Sequence, residues 1–386
     1  MKQYIILFFL LLPISLQSLL AVELEDSKTV TEEDPHAQHR KVTSQESRHN
    51  HGSRADEIAP AGLMFPHVHQ KGTWVLDFRY MGMNMSGLLN GSKSMGTYEA
   101  LWFPQFDPSV SMPTGSLLTG GPSIPQTSAN GYRYMSVPKT MLMESYMSSA
   151  MYGLSDDTMI MFMVPVLRNQ MMMETSNFDS SQMKSAGVGD ISFSATHRVF
   201  QRNKHEFFLN FGISLPTGSI DQRDWMPMMG DQKVPYNMQL GTGTINYLPG
   251  IGYTGKSDRF SWGFGANANL RSSKNENQYR FGNIYDLSSW IAYSIFSWTS
   301  ISIRVQANYW ENVKGRDSSL DPKMDPQNDP NRQGGNRTDA LLGMNFLVAE
   351  RIRFGFEAGK PFHQHLNGPQ LAMQSLFNVF LRFDLN

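Results

Sequence analysis

No cysteine occurs anywhere in the 386 residues, so disulfides, thiolate metal sites, cysteine nucleophiles and a lipidated amino-terminal cysteine are excluded. Charge is scarce too. Charged residues make up 17% of the chain and the formal net charge is −1, which removes the electrostatic attraction a nucleic-acid partner would require. Past the first twenty residues no apolar run approaches the roughly 18 residues of a membrane-spanning helix. If the chain enters a membrane, it does so as strands.

What is present is alternation with period two. In residues 260–271, Phe260, Trp262, Phe264, Ala266, Ala268 and Leu270 fall on one side, while Ser261, Gly263, Gly265, Asn267, Asn269 and Arg271 fall on the other. Successive side chains of a strand point to opposite faces, so one face is apolar and the other wet. Twelve such stretches are predicted, at 73–85, 140–152, 158–167, 187–200, 206–215, 244–254, 260–271, 285–296, 299–311, 338–348, 352–359 and 373–384. The connections alternate. Short ones lie at 153–157, 201–205, 255–259, 297–298 and 349–351; long ones, rich in Pro, Gly, Asn and Asp, lie at 86–139, 168–186, 217–243, 272–284, 312–337 and 360–372. An even strand count with short turns on one side and long loops on the other describes an all-β fold: a closed antiparallel transmembrane β-barrel of about 12 strands with long extracellular loops. A soluble two-sheet sandwich is the alternative, but its outer faces should carry many Lys and Glu. Here the polar faces hold mostly Ser, Gly, Asn and scattered Arg.

The amino terminus reads as an export signal over residues 1–21: Lys2, an apolar core at 5–12, and Leu19-Leu20-Ala21 as the cleavage site. A retained anchor helix is the alternative, and the run is short for one. Residues 22–60 are charged and polar, lack aromatics and carry His36, His39, His49 and His51. Such a segment buries too little apolar surface to offset its ordering entropy and is expected to be a disordered periplasmic tail. The barrel is expected over 61–386, in the outer membrane of a Gram-negative bacterium.

Parity assigns Asp77, Arg79, Glu144, Asn210, Asn267, Asn269, Arg271, Arg304, Gln306, Asn308, Asn345, Arg353, Glu357, Asn378, Arg382 and Asp384 to the lumen. These charges either satisfy one another across a hydrated interior or select solutes. Twelve strands tilted near 40° give a backbone radius of about 12 Å and a bore of roughly 5–6 Å radius. Whether the loop 86–139 or the amino-terminal segment fills that bore stays open at this point.

Methionine is abundant, with 26 residues, many in M-x-M spacing. Met81, Met83 and Met85 share parity with Asp77 and Arg79 and so point inward, while Met159, Met161 and Met163 share a face of the third strand. Thioethers are soft ligands that select Cu(I), and M-x-M on a strand places two sulfurs about 7 Å apart on one side. With the nearby pair His67 and His69, these are candidate Cu(I) contacts; simple packing of the flexible methionine side chain is the alternative. No other cofactor is expected. His197 is the histidine to weigh for a lipid hydrolase, and it lacks a matching serine and acid, so no enzymatic activity is expected.

Gly187-Val188-Gly189-Asp190, Leu215-Pro216-Thr217-Gly218, Leu240-Gly241-Thr242-Gly243 and Leu248-Pro249-Gly250 form an ordered set. In it the chain resembles the outer-membrane transporter family grouped with phenol meta-cleavage pathway proteins, over roughly residues 60–386. The resemblance implies an outer-membrane channel or transport protein and no particular substrate. The expected function is passage of a small solute, passive or weakly selective and linked to soft-metal handling, with outer-membrane lipid and a small-molecule or metal-ion solute as partners. The other reading is a non-conducting surface or metal-sequestering barrel plugged by its own loop. The sequence does not set an oligomeric state.

Overall fold

The computed structural model describes residues 54–57, 59–63, 67–103, 134–176, 179–226 and 230–385. They fall in one compact unit, Asn50–Asn386. The expected signal segment and most of the tail, with its four histidines, lie outside the described residues.

The strands in chain order are β1 (Trp74–Gly91), β2 (Lys93–Met95), β3 (Ser136–Ser155), β4 (Thr158–Thr175), β5 (Ser180–Val188), β6 (Ser192–Arg202), β7 (His205–Ser214), β8 (Arg223–Met226) and β9 (Gly230–Lys233), then β10 (Asn246–Lys256), β11 (Phe260–Arg271), β12 (Tyr279–Arg280), β13 (Ile284–Phe296), β14 (Thr299–Trp310), β15 (Lys314–Gly315), β16 (Gly335–Ala349) and β17 (Ile352–Asp384). One short helix, α1 (Thr97–Leu101), follows β2. The main sheet runs β17-β16-β14-β13-β11-β10-β7-β6-β4-β3-β1 and closes through β1 on β17. Every neighbouring pair is antiparallel.

Two positions in this ring explain why the wall has twelve staves. β5 pairs the upper part of β4 and β6 pairs the lower part, so the two stand end to end in one position. β17 doubles back: residues 352–366 pair with β16, residues 366–384 pair with β1, and the Asp384 amide donates to the Arg351 carbonyl. A 33-residue strand would be over 100 Å long if straight, so it supplies two staves.

Alternation decides what the wall faces. On β7, Phe207, Leu209 and Phe211 are about half exposed on the outward face (46%, 50% and 57%), while Phe208 and Asn210 between them are buried. Large apolar side chains in unbroken rows around a ring are stable only against hydrocarbon. Two aromatic girdles bound the apolar band. At the short-turn end Phe296, Trp298, Phe346 and Phe354 stack in succession; at the other end Tyr80 and Tyr146, Phe211 and Tyr247, and Tyr285 and Tyr309 pair across strands. The fold is an outer-membrane β-barrel.

The structure also moves boundaries. The predicted fourth strand, 187–200, is broken between β5 and β6, and the predicted loops 168–186 and 360–372 are largely strand. β1, β3 and β4 reach 18, 20 and 18 residues, well beyond the nine to eleven that cross a bilayer. Their outer ends therefore project past the membrane, where ladder hydrogen bonds rather than lipid hold them.

Candidate functional site in the barrel lumen

At the short-turn end the lumen is crossed by residues 54–57, 59–63 and 67–69. Ala55 N donates to Ser297 O at 3.0 Å, Ser261 Oγ donates to the Asp56 carbonyl, and Asn345 Nδ2 donates to Ala59 O at 3.4 Å. Arg79 Nη1 donates to Ala61 O at 2.9 Å and to Leu63 O at 2.6 Å, while Gly62 N donates to Glu357 Oε2 at 3.0 Å. The described part of the expected tail, 54–57 and 59–60, is thus tied to the wall as a strap. A Cβ at Gly62 would clash with Arg304 and Glu357, so the close approach there depends on glycine.

The predicted lumen charges hold this strap. Arg304 forks onto Glu357 at 2.8 and 2.9 Å; Asp77 takes Arg79 at 2.7 Å and Arg382 at 2.9 Å; Arg353 pairs with Asp384. All but the last pair are nearly water-free. Removing one member of such a pair leaves a buried charge and costs about 3–5 kcal/mol. Arg382 also donates to His67 Nε2 at 2.9 Å, which occupies one of the two nitrogens a metal could use.

Above the strap the lumen has two unlike sides. β1, β3 and β4 turn Met81, Met83 and Met85, Met141 and Met143, and Met159, Met161 and Met163 inward, as their register with Asp77 and Arg79 requires. The opposite side, from β7, β11, β13 and β14, presents Asn210, Asn267, Asn269, Arg271, Asp286, Gln306 and Asn308. Glu144 corrects the sequence reading: it lies opposite Gly82, on the outward face with Tyr146. There it accepts from Tyr80 and Tyr146 at 3.2 Å each and pairs with Arg168 at 3.2 Å. The polarity rule fails on β3 because methionine fills the inner face and a satisfied carboxylate stands at the outer girdle.

The candidate metal residues separate. Met159 and Met161 pack with Met151, Val68, Val75 and Phe208 near the short-turn end; Met81 and Met83 pack on Leu341, Met373 and Leu376, and Met85 joins the outer cluster. His67 and His69 meet edge to face at 4.9 Å. Among the described residues no group of three or more His, Asp or Glu could hold a metal. His197 faces outward, beside Thr158 Oγ1 at 2.9 Å.

At the outer end an apolar cluster joins strand ends and loops. Met141, Met171, Met173, Met183, Met226 and Met238 are buried with Leu88, Leu101, Tyr134, Val137 and Val234. Lys233 of the β8–β9 hairpin reaches Asp221 at 2.5 Å and Asp317 at 2.6 Å. Asp325, in the loop before β16, caps a 3-10 turn through the Gln327 amide, and burial pushes its carboxyl up to about 7.

One residue that ties the wall together had no sequence signal beyond its motif. Asp190, in the break between β5 and β6, accepts from Gly218 N at 2.9 Å, Thr242 N at 2.9 Å and Thr242 Oγ1 at 2.6 Å. The glycine motifs therefore converge: Gly218 and Gly241 approach so closely that a Cβ on either would strike the other's backbone. A concavity of about 980 Å³ lies elsewhere, on the outward face, where Leu209, Phe211, Ile251, Ala266, Ala268, Tyr285 and Tyr309 line it.

The family model described as "Putative MetA-pathway of phenol degradation" matches residues 126–359. The chain belongs to this family. Among solved structures, the outer membrane channel from Pseudomonas putida F1 is similar with a TM-score of 0.56 and 11% identity, over 85% of this chain and 100% of that one. The NanC porin aligns with a TM-score of 0.37 and 10% identity over 63% and 94%. A FadL homologue from Pseudomonas aeruginosa aligns with 0.35 and 10% over 82% and 90%. No curated protein matches. At such identities the first likeness establishes the fold, an outer-membrane barrel of a Gram-negative bacterium, and family membership agrees with the ordered glycine motifs.

Proposed function

We propose that this barrel is an outer-membrane channel for a small solute, passive or weakly selective, and narrowed at both ends. The observation that carries the reading is the polar inner side, where Asn210, Asn267, Asn269, Arg271, Asp286, Gln306 and Asn308 share the inward parity of adjoining strands. A row of such groups is costly against an apolar filling, so it suits a lumen that holds water and solute rather than an anchor filled with apolar side chains. Family membership supports the same reading.

The test is planar-bilayer conductance of the refolded mature protein. Discrete steps above leak are expected, enlarged severalfold on deleting residues 54–63. Silence from both forms returns the non-conducting reading. Copper handling is a second reading, favoured because Val68, between His67 and His69, packs on Met151, Met159 and Met161, so soft and imidazole ligands share one end of the lumen. Anaerobic Cu(I) titration tests it: affinity surviving the joint change of Met159 and Met161 to Leu removes that site.

A further inference from the structure

Five inward methionines stand side by side on five neighbouring strands. Met373 of β17 lies opposite Met85 of β1, Met85 opposite Met141 of β3, Met141 opposite Met171 of β4, and Met171 opposite Met183 of β5. One step toward the short-turn end, Met83 lies opposite Met143. Directly opposite side chains of an antiparallel pair have Cβ atoms about 4.5–5.5 Å apart, and side chains two apart on one strand stand about 7 Å apart. Met85 and Met141 therefore each have three other thioethers within reach. Met141, Met171, Met183 and Met373 are buried, while Met83, Met85 and Met143 are half-buried on the lumen side. A strand face that only packs calls for β-branched and aromatic side chains, not for an unbranched thioether on five adjoining strands. One of these sulfurs already acts through its lone pair: Met141 Sδ accepts from Asn237 Nδ2 at 3.8 Å. Oδ1 of the same Asn237 is buried without a protein partner, an acceptor beside the row that a cation would satisfy and an apolar filling would not.

We infer that Met85, Met141 and Met171, with Met83 and Met143 on the lumen side, form a binding site for the soft monovalent cation Cu(I). Thioethers are neutral, soft donors that select Cu(I) over harder ions. A hard ion such as Zn(II) would lose its water there without a matching ligand. The ladder fixes the backbone of the three central ligands, and the flexible methionine side chains let their sulfurs close on one ion. That no group of three His, Asp or Glu among the described residues could hold a metal leaves a thioether site unaffected. The inference rests on the copper reading and deepens it, seating the ion at the outer end of the lumen rather than beside Met159 and Met161.

The probe is Cu(I), titrated anaerobically into the refolded, detergent-held barrel in competition with a chromogenic Cu(I) chelator, with copper X-ray absorption on the loaded protein. A saturable site with a sulfur-dominated shell is expected, and excess Zn(II) should not displace the ion. Changing Met85, Met141 and Met171 together to leucine nearly conserves volume and should weaken binding at least tenfold. Met85→Leu alone, at a half-buried position, should weaken it at least threefold, whereas Met159→Leu with Met161→Leu should change it less than twofold. Heat-modifiable gel mobility establishes that each variant is folded, and the shell of the unmodified protein is read without any variant. Affinity unchanged in the folded leucine variants of the row, a shell dominated by nitrogen or oxygen, or displacement by Zn(II) overturns the site. Binding lost with Met159 and Met161 alone sinks this site and keeps the copper reading. No Cu(I) binding by the unmodified barrel sinks both and leaves the channel reading to the conductance test.

Discussion

The two ends of this barrel are held together by opposite chemistry. At the short-turn end a strap of main chain is held by arginine and glutamate side chains on its own carbonyls and amides; at the outer end loops are held by buried methionine, leucine and tyrosine. Polar ties are directional and can be exchanged for water one at a time. An apolar cluster is non-directional and is lost only by exposing its whole area. The inner end is therefore held by a few directional contacts that single substitutions can remove one by one, while the outer end is held by a cluster that responds as a unit.

Four measurements test that contrast. The largest effect is expected from Gly62→Leu, which sets a side chain against Arg304 and Glu357 and so displaces the strap. Unitary conductance should rise severalfold with the wall intact, and a variant conducting like the unmodified barrel would mean the strap is not the inner closure. Next comes Met171→Ala in the outer cluster, where Met171 is fully buried. A truncation of this kind costs about 2–5 kcal/mol, read as a lower temperature for loss of heat-modifiable mobility and as noisier open-channel current.

A smaller, pH-dependent effect belongs to Asp325. Its folded carboxyl titrates at about 7 and its ordinary value is 3.8, so the folded state keeps a proton that the unfolded chain has released. Loop stability from this group is therefore present at low pH and is lost as pH rises from about 4 through 7. Amide exchange over residues 325–333, corrected for intrinsic rates, should be faster at pH 8 than at pH 5, and flat in Asp325→Asn. The smallest effect is expected from Glu144→Gln. Its partner Arg168 is about half exposed, so the pair contributes at most about 1 kcal/mol, and conductance and ion selectivity should not change. A shifted reversal potential would place Glu144 back in the lumen.

Much of the wall was legible in the sequence because β11, β13 and β14 obey polarity: amides and arginine inward, aromatics and aliphatics outward. The five short turns followed from the same rhythm. Three features were not legible. The inner face of β1, β3 and β4 is methionine, so apolar and inward coincide there and Glu144 was assigned to the wrong side. Residues 54–57 and 59–60 have the composition of a disordered tail, and only sequence-distant wall residues, Ser297, Ser261 and Asn345, tie them down. Asp190 sits in a glycine motif whose partners, Gly218 and Thr242, are 28 and 52 residues away, a convergence that no local pattern encodes.

The seam between β1 and the final half of β17 has a consequence for how the protein is made. The first strand of the wall must wait for the last, because Asp77 lies opposite Arg382 and Val75 opposite Asp384. No partial product can complete the circle, and losing even a few carboxy-terminal residues leaves the first edge without a mate.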